Sequence, residues 1–267
     1  MKMSNREKIK DKKRIVVKVG TSTLSYPNGR LNFRRIENLA FVLSAVRSKG
    51  YEVILVSSGA IGVGSGRIGM QKKPKELAKK QALAALGQAE LMKIYKKFFA
   101  GYNQTVGQIL LTKDVMTVLT RHNNAKNTID AMLAMNIIPI INENDTISTY
   151  EIEFGDNDTL SAMVASLAKA ELLILLSDID GLYTADPKSN SNAEIIREVN
   201  EITPDIKKIA SGAGSSFGTG GMITKITAAE ICFDSNVDAI ITNGAKPDIV
   251  FDILEGKEIG TLFSKKV

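Results

Sequence analysis

Short apolar runs rich in β-branched residues alternate with stretches of helical periodicity along this 267-residue chain. Continuous apolar strands separated by helices are typical of a parallel sheet that is covered by helices on both faces. We therefore predict a three-layer α/β/α sandwich with a mainly parallel central sheet. The predicted strands are residues 14–19, 51–56, 106–111, 137–141, 172–176, 239–242 and 259–263. The predicted helices are residues 31–49, 75–100, 124–135, 159–169 and 222–236.

No linker interrupts this alternation, so the pattern predicts one domain over residues 14–267, in which the irregular stretch 178–221 forms loops and a small excursion. The net charge is +6, and the first 14 residues supply +5 of it, since seven Lys or Arg stand against two acidic residues. We expect this basic tail, residues 1–13, to be disordered or frayed. Because most of the net charge lies at this end of the chain, the composition does not favour a nucleic-acid partner.

The remaining composition favours a cytoplasmic protein. Cys232 is the only cysteine, which excludes an intrachain disulfide framework and fits a reducing compartment. Apolar runs stay below the roughly 18 residues that a membrane span needs. The basic N-terminal segment is not followed by the apolar region of a secretory signal. We therefore predict no membrane partner.

Polar and glycine-rich segments follow the predicted strands at the points where the strands end. In parallel α/β sheets, ligands bind outside the carboxyl ends of the strands. Glycines at a helix N-terminus also let backbone N–H groups approach an anion without interference from a Cβ atom. The segments are 20–22, 57–64, 142–146, 155–158, 177–178 and 219–222.

Two lysines point to phosphate as the ligand of these loops. Lys18 interrupts an apolar strand, and a buried lysine needs an anionic partner. Lys225 lies in the first turn of a predicted helix, where a cation is unfavourable to the helix dipole unless a bound anion offsets it. The run Gly64–Gly69 matches G-x-G-x-x-G by letter, but it begins seven residues after a strand end, so we reject a dinucleotide site.

The sequence favours neither a histidine or cysteine catalyst nor a transition-metal centre. His122 is the only histidine and has no nucleophile placed around it, and Cys232 has apolar neighbours on its helix. No His/Cys cluster has transition-metal spacing. We expect any metal to be Mg²⁺ that arrives with nucleotide phosphates.

Six motifs together closely resemble the amino acid kinase family from about Arg14 onward, and within it the members that act on free glutamate. The motifs are KVGTS (18–22), SSGAIGVG (57–64), INENDT (141–146), FGDND (154–158), LLSDIDGLYTADP (175–187) and GTGGMITK (218–225). The resemblance implies the amino acid kinase fold and ATP-dependent phosphorylation of the γ-carboxylate of L-glutamate, the first step of proline biosynthesis. It places the glutamate side at about 14–160 and the nucleotide side at about 170–267.

The same resemblance assigns roles to individual residues. Catalytic roles fall to Lys18, Lys225 and Asp158. Glutamate would be bound by Ser58, Gly59, Asp145 and Asn157. ATP would be bound by Lys18, Gly20, Ser177, Asp178, Thr219, Gly220, Gly221, Met222, Ile223, Thr224 and Lys225. This set suits the chemistry, since a carboxylate is ionised at pH 7 and needs no general base, while the carboxylate of Asp145 suits an α-ammonium group.

The family also implies a homo-oligomer, dimer or tetramer, and feedback inhibition by proline. Many members carry a further C-terminal domain of the PUA type, and we expect a single-domain form here because the sequence ends at Val267. Loops 146–154 and 187–193 are candidates for closing over substrate. Two alternatives remain open. One is another family member acting on acetylglutamate, aspartate or UMP; the other is a non-catalytic regulator that binds a nucleotide or an amino acid.

Overall fold

The computed structural model describes residues 4–26, 30–70, 74–148, 157–187, 189–212 and 221–265. These residues form an eight-stranded sheet of order β3-β4-β2-β1-β5-β7-β8-β6. The strands are β1 (Arg14–Val19), β2 (Glu52–Ser57), β3 (Thr105–Leu111), β4 (Ile137–Glu143), β5 (Leu172–Ser177), β6 (Glu198–Val199), β7 (Asp238–Asn243) and β8 (Thr261–Phe263).

Strand β1 lies in the middle of the sheet and pairs in parallel with β2 on one side and β5 on the other. The first half of the chain extends the sheet on the β2 side, and the second half extends it on the β5 side. Among the strands described, β8 against β7 is the one antiparallel pair. The predicted mainly parallel sheet is therefore confirmed, and its carboxyl edge gathers the ends of β1, β2, β4, β5 and β7.

Helices cover both faces of the sheet. They are α1 (Asn5–Lys8), α2 (Thr21–Leu24), α3 (Phe33–Ser48), α4 (Ala60–Arg67), α5 (Leu77–Ala100), α6 (Leu119–Ala134), α7 (Asn157–Leu167), α8 (Pro204–Gly212), α9 (Met222–Asp234) and α10 (Ile249–Leu254), with 3₁₀ turns at Ile9–Asp11 and Lys113–Met116. No helix in the part of the chain that the structure covers is both long and apolar enough to cross a membrane.

Two hydrophobic cores lie on opposite faces of the sheet, which confirms the three-layer prediction. Ile15, Val17 and Val19 of β1 pack into the core formed with α3, α5 and α10. Val16 packs into the core formed with α6, α7 and α9. Because side chains alternate along a strand, Lys18 shares the face of Val16 and points towards α7 and α9.

The glycine-rich segment after β2 differs from the sequence prediction, because residues 60–67 form helix α4 and not an open loop. Close packing of α4 against α5 explains one glycine of this segment and a glycine of α5. A Cβ atom on Gly64 would lie 2.1 Å from the carbonyl oxygen of Leu83, and one on Gly87 would lie 1.7 Å from that of Ala60. Gly64 therefore allows α4 and α5 to touch backbone to backbone.

The basic tail also differs from the expectation of a frayed terminus. Ser4 caps α1 through a reciprocal capping box with Glu7. Arg6 is buried, and its guanidinium donates to the carbonyl oxygens of Ile259 at 2.6 Å and Arg197 at 2.8 Å. Ile9 is fully buried in the core. Despite the high charge of the tail, Arg6 and Ile9 therefore hold it against the folded domain.

Smaller differences concern element boundaries. Helix α6 begins at Leu119, five residues before the predicted start at 124. The predicted last strand, 259–263, is β8 at Thr261–Phe263, and it lies inside the sheet because β6 pairs along its outer edge. The irregular stretch 178–221 contains this two-residue β6 and helix α8.

Candidate active site

A buried cluster of opposite charges lies at the carboxyl edge of the sheet, and we call Lys18, Asp158, Thr224 and Lys225 the cationic cluster. The Nζ atom of Lys18 lies 2.6 Å from Oδ1 of Asp158, and Nζ of Lys225 lies 3.0 Å from Oδ2. The hydroxyl of Thr224 donates to the same Oδ2 at 2.9 Å. Asp158 is 1 % exposed and both lysines are below 10 % exposed. The two lysines and one aspartate carry a formal charge of +1 in a site sheltered from water.

Three different elements build this cluster. Lys18 comes from the central strand β1, between Val56 of β2 and Leu175 of β5. Asp158 lies in the first turn of α7, where a carboxylate interacts favourably with the helix dipole. Lys225 lies in the first turn of α9, where the same dipole disfavours a cation. The carboxylate of Asp158 offsets that cost and holds the two ammonium groups at one place.

The electrostatics of Asp158 follow from its two partners. Burial alone would raise the pKa of Asp158, because desolvation disfavours the carboxylate. The charges of Lys18 and Lys225 and their hydrogen bonds outweigh burial and hold the pKa of Asp158 well below its ordinary value. Asp158 therefore stays ionised throughout the physiological range and cannot serve as a proton donor.

A second buried group, which we call the acceptor cluster, consists of Ser58, Gln88, Asn142, Asp145 and Asn157. The Nδ2 atom of Asn157 donates to the hydroxyl of Ser58 and to Oδ1 of Asn142, both at 2.8 Å. The Nδ2 atom of Asn142 donates to Oε1 of Gln88 at 3.0 Å. Asn157 precedes Asp158 directly, so the first turn of α7 joins the two clusters.

Two buried acceptor atoms of this cluster have no hydrogen-bond partner among the residues described. They are Oδ1 of Asp145 and Oδ1 of Asn157. Leaving a buried polar atom unpaired costs about 1–3 kcal/mol, so such atoms in a native protein call for an explanation. A ligand that carries N–H donors, such as an ammonium group, would satisfy acceptors of this kind.

The charge state of Asp145 fits the same interpretation. Burial, and then the charge of the neighbouring Glu143, raise the pKa of Asp145 to about 7. A carboxyl group in this condition gains most from a cationic ligand, because the ligand stabilises its ionised form. The acceptor cluster is thus suited to an organic cation.

Backbone geometry adds N–H donors to the site. Gly59 has φ of 108°, a conformation that side chains with a Cβ rarely adopt, and it stands at the N-terminus of α4 directly after Ser58. Gly20 stands at the N-terminus of the short helix α2, and a Cβ atom there would lie 3.6 Å from Nζ of Lys18. Both glycines therefore lie where sequence reasoning expected them, at the ends of β2 and β1.

The residues expected to bind the nucleotide fall on the β5 and α9 side of the same edge. Ser177 ends β5, and its hydroxyl donates to the carboxylate of the exposed Asp178 at 3.1 Å. Gly221 and Met222 begin α9, with Met222 buried and the next residue, Ile223, 44 % exposed. The predicted residues Thr219 and Gly220, the 155–156 pair of the FGDND motif, and most of loop 146–154 lie outside the described residues.

Sequence reasoning missed two residues of α5 that reach the site. Gln88 is buried among the apolar residues of that helix and contacts Asn142. Tyr95 is fully buried, and its hydroxyl lies 2.8 Å from Oγ of Ser57, one residue before Ser58. The sequence did contain a signal for Gln88, since it lies three residues from Leu91 on the apolar face of the helix. A buried amide needs a polar partner, so a glutamine on that face indicates a polar contact in the interior.

The described geometry defines a class of protein: an α/β protein with a lysine-lined anion site and an adjoining acceptor site at the carboxyl edge of a parallel sheet. The sequence pattern of the Amino acid kinase family matches residues 13–243, and the chain belongs to that family. The resemblance drawn from the motifs is therefore confirmed.

Particular relatives place the chain within the family. It is 53 % identical over 265 residues to a protein named glutamate 5-kinase of Listeria monocytogenes, covering 98 % of this chain and 96 % of the relative. The identity is also 53 % to glutamate 5-kinase of Clostridium perfringens, with 98 % of both chains covered. Among solved structures, UMP kinase of Ureaplasma parvum matches with a TM-score of 0.65 at 20 % identity, over 95 % of this chain and 99 % of that one, which supports the fold.

Proposed function

We propose that this protein is a kinase that transfers the γ-phosphoryl group of ATP to the side-chain carboxylate of free L-glutamate, yielding L-glutamyl 5-phosphate for proline biosynthesis. The observation that carries the proposal is a pair of buried acceptors, Oδ1 of Asp145 and Oδ1 of Asn157, that have no hydrogen-bond partner among the described residues and accompany the cationic cluster. The high identity to glutamate 5-kinases over nearly the whole chain supports the same activity.

The acceptor cluster binds the amino-acid end of the substrate. Asp145 and Asn157 accept hydrogen bonds from the α-ammonium group, while Ser58 and the backbone N–H of Gly59 are placed for a carboxylate. An ammonium group beside the Asp145 carboxylate compensates a buried charge that would otherwise be costly. Substrates without a free α-amino group lose this interaction.

The transfer itself needs positioning and charge stabilisation more than proton transfer. A γ-carboxylate oxygen, already ionised at pH 7, forms the new bond to the γ-phosphorus. The bond from that phosphorus to the β,γ-bridging oxygen breaks, and ADP leaves with the electron pair. Lys18 and Lys225 stabilise the negative charge on the transferring group, and Asp158 holds both lysines in place.

ATP would lie along β5 and α9. The residues proposed to hold it are Lys18, Gly20, Ser177, Asp178 and the 219–225 segment, of which residues 221–225 belong to the described part of the chain. Mg²⁺ would be held mainly by the phosphates and water, because both oxygens of Asp158 already accept bonds from lysines. Among the described residues, no three Asp, Glu, His or Cys side chains gather as a metal site. The ion would neutralise phosphate charge.

A substrate panel tests the proposed function. ATP consumption is measured with glutamate, N-acetylglutamate, aspartate and UMP offered separately at equal concentrations. We expect turnover with glutamate to exceed that with each of the others, because a free amino group can complete the acceptor cluster and the similar proteins are named glutamate 5-kinases. Higher turnover with any other member of the panel would overturn the choice of glutamate, and ATP consumption with none would favour a non-catalytic regulator.

Three further properties belong to the same proposal. We infer that the protein acts in the cytoplasm, that it forms a homo-oligomer, and that proline inhibits it by feedback. We also infer that residues of about 14–160 serve mainly glutamate and those of about 170–267 mainly the nucleotide, with Lys18 and Gly20 shared. Sedimentation of the purified protein and a proline titration of the glutamate reaction test the oligomer and the inhibition.

A further inference from the structure

Helix α5 extends the acceptor cluster beyond the residues that the motifs identify. We propose that Gln88 is a positioning residue that fixes the orientation of the Asn142 and Asn157 amides and thereby the affinity for the substrate amino group. This inference rests on the proposed function, because the ligand of the acceptor cluster is taken to be the α-ammonium group of glutamate. Gln88 itself contacts Asn142 and no reacting atom.

The side-chain hydrogen bonds form one series in which each donor precedes its acceptor, from Asn157 through Asn142 to Gln88. Oε1 of Gln88 accepts from Nδ2 of Asn142 at 3.0 Å, and Oδ1 of Asn142 accepts from Nδ2 of Asn157 at 2.8 Å. The same Nδ2 of Asn157 also donates to Oγ of Ser58 at 2.8 Å. Gln88 is 8 % exposed, and Asn142 and Asn157 are each 1 % exposed, so water has little access to compete for these groups.

The donor-to-acceptor order of these hydrogen bonds determines whether a ligand contacts the oxygen or the nitrogen of the Asn157 amide. An asparagine amide has one acceptor oxygen and one donor nitrogen, so fixing one end fixes the other. With Gln88 accepting, the donor nitrogens of both asparagines are used within this series of hydrogen bonds, and Oδ1 of Asn157 remains a buried acceptor with no partner among the described residues. If both asparagine amides were reversed, Asn157 would present its donor nitrogen instead. A donor at that place would repel an ammonium group.

The position of Gln88 relative to Ser58 is itself held firmly. Helices α4 and α5 touch backbone to backbone at Gly64 and Gly87, and Gly87 directly precedes Gln88. Seven residues after Gln88, Tyr95 contacts Oγ of Ser57 at 2.8 Å. Helix α5 therefore contacts the segment around Ser58 both just before Gln88 and seven residues after it. These contacts fix the position of the Gln88 amide oxygen, which ends the series of hydrogen bonds.

The test compares two substitutions that differ in one property. Gln88→Met keeps the length and the helical propensity of the side chain but removes the acceptor, whereas Gln88→Glu keeps an acceptor at the same place. For Gln88→Met we expect the KM for glutamate to rise on the order of tenfold, the size of one buried hydrogen bond. The KM for ATP and kcat at saturating glutamate should stay within about twofold, because the cationic cluster is untouched.

Gln88→Glu should restore the KM for glutamate to within about threefold of the wild type, because the carboxyl group keeps an acceptor oxygen whether or not it is ionised. Gln104→Met is the matched control. It removes an acceptor that Arg47 donates to at 2.7 Å, next to the amino end of β3 at the opposite edge of the sheet, and all kinetic constants should be unchanged. Thermal unfolding of each variant shows that the protein is folded.

The outcomes separate this inference from the proposed function. A wild-type protein that does not phosphorylate glutamate overturns the proposed function. A wild type that does so, together with a Gln88→Met variant of unchanged KM, overturns the role of Gln88 alone. An equal loss of affinity in Gln88→Met and Gln88→Glu also overturns it, because a role in packing would not distinguish an acceptor from a thioether. If Gln88→Met proves unfolded, Gln88→Ala, which also removes the acceptor and favours the helix, takes its place in the same comparison with Gln88→Glu.

Discussion

The two polar clusters at the carboxyl edge of the sheet differ in how far the protein completes them. In the cationic cluster, both oxygens of Asp158 are taken by lysines that the fold itself delivers. In the acceptor cluster, Asp145 and Asn157 each retain a buried oxygen without a partner in the described part of the chain. We therefore infer that the first cluster is preorganised for charge that develops during a reaction, and that a ligand completes the second.

This difference implies a division of kinetic effects. Interactions that strengthen only in the transition state affect kcat, whereas interactions made equally in the bound substrate affect KM. Changes in the cationic cluster should therefore lower kcat, and changes in the acceptor cluster should raise the KM for glutamate. Asn157 of the acceptor cluster and Asp158 of the cationic cluster are neighbours in the first turn of α7. Residues with the two different kinetic effects are therefore adjacent in the sequence.

The largest effect is expected at Lys225. Lys225→Met removes one of two cations facing the transferring phosphoryl group, and kcat should fall on the order of 10³-fold, as for the loss of an electrostatic donor at a transition state. Lys207→Met is the control, because this exposed lysine pairs with Glu230 on the surface. Steady-state assays of both proteins make the comparison. Retention of glutamate phosphorylation near the wild-type rate in Lys225→Met would refute the cationic cluster as the catalytic one.

The next largest effect is expected at Asp145. Asp145→Asn removes the negative charge opposite the α-ammonium group, and the KM for glutamate should rise on the order of 10- to 100-fold, the usual range for a hydrogen bond to a charged group. The KM for ATP should change little. Asp252→Asn is the control, since Asp252 is an exposed partner of Lys257. A fall in kcat with unchanged KM would break the proposed division between the clusters.

A smaller effect concerns pH. The pKa of Asp145 is about 7 in the ligand-free protein, and an ammonium ligand favours the ionised form, so affinity is lost as the pH falls through 7. The KM for glutamate should rise about tenfold between pH 8 and pH 6, where glutamate itself does not change charge. The same pH series on Asp145→Asn should be flat. A wild-type KM that is constant over this range would contradict the role of Asp145.

The smallest kinetic effect is expected far from both clusters, at Arg6. Arg6→Met removes hydrogen bonds from the tail to the carbonyl oxygens of Ile259 and Arg197, and it should lower the free energy of unfolding by about 2 kcal/mol. Kinetic constants should not change. Arg67→Met, at a 63 % exposed side chain, should leave stability unaltered. Denaturant unfolding measures both, and equal stabilities of the two variants would show that the tail is not docked through Arg6.

The layers of the fold were predictable because the strands β1, β2, β4, β5 and β7 are mostly apolar and buried on both faces, and helices such as α3 carry one apolar face. Lys18 was predictable as a site residue because a charge inside such a strand requires a partner. The helix at 60–67 was not predictable, because glycines that permit close helix packing look the same in sequence as glycines in a loop. The docking of Arg6 was missed for a similar reason, since its carbonyl partners lie about 190 and 250 residues away in sequence.

The acceptor cluster was also only partly predictable from the sequence. Asp145 and Asn157 were identified through motifs, but the directed chain from Gln88 depends on the orientation of three amides, which no local pattern encodes. The unpartnered oxygens appear only when every buried atom near them is placed. The sequence could therefore point to the two lysines and to Asp145, whereas the order of the hydrogen bonds from Asn157 to Gln88 required the structure.

Identification of the product tests the central claim most directly. Hydroxylamine converts an acyl phosphate to a hydroxamate, so the protein is incubated with ATP, hydroxylamine and either glutamate or N-acetylglutamate, and the hydroxamates and ADP are quantified. We predict that γ-glutamyl hydroxamate forms from glutamate in step with ADP and that N-acetylglutamate gives far less. ADP formed without hydroxamate, or equal yields from the two substrates, would contradict a transfer to glutamate that is guided by its free amino group.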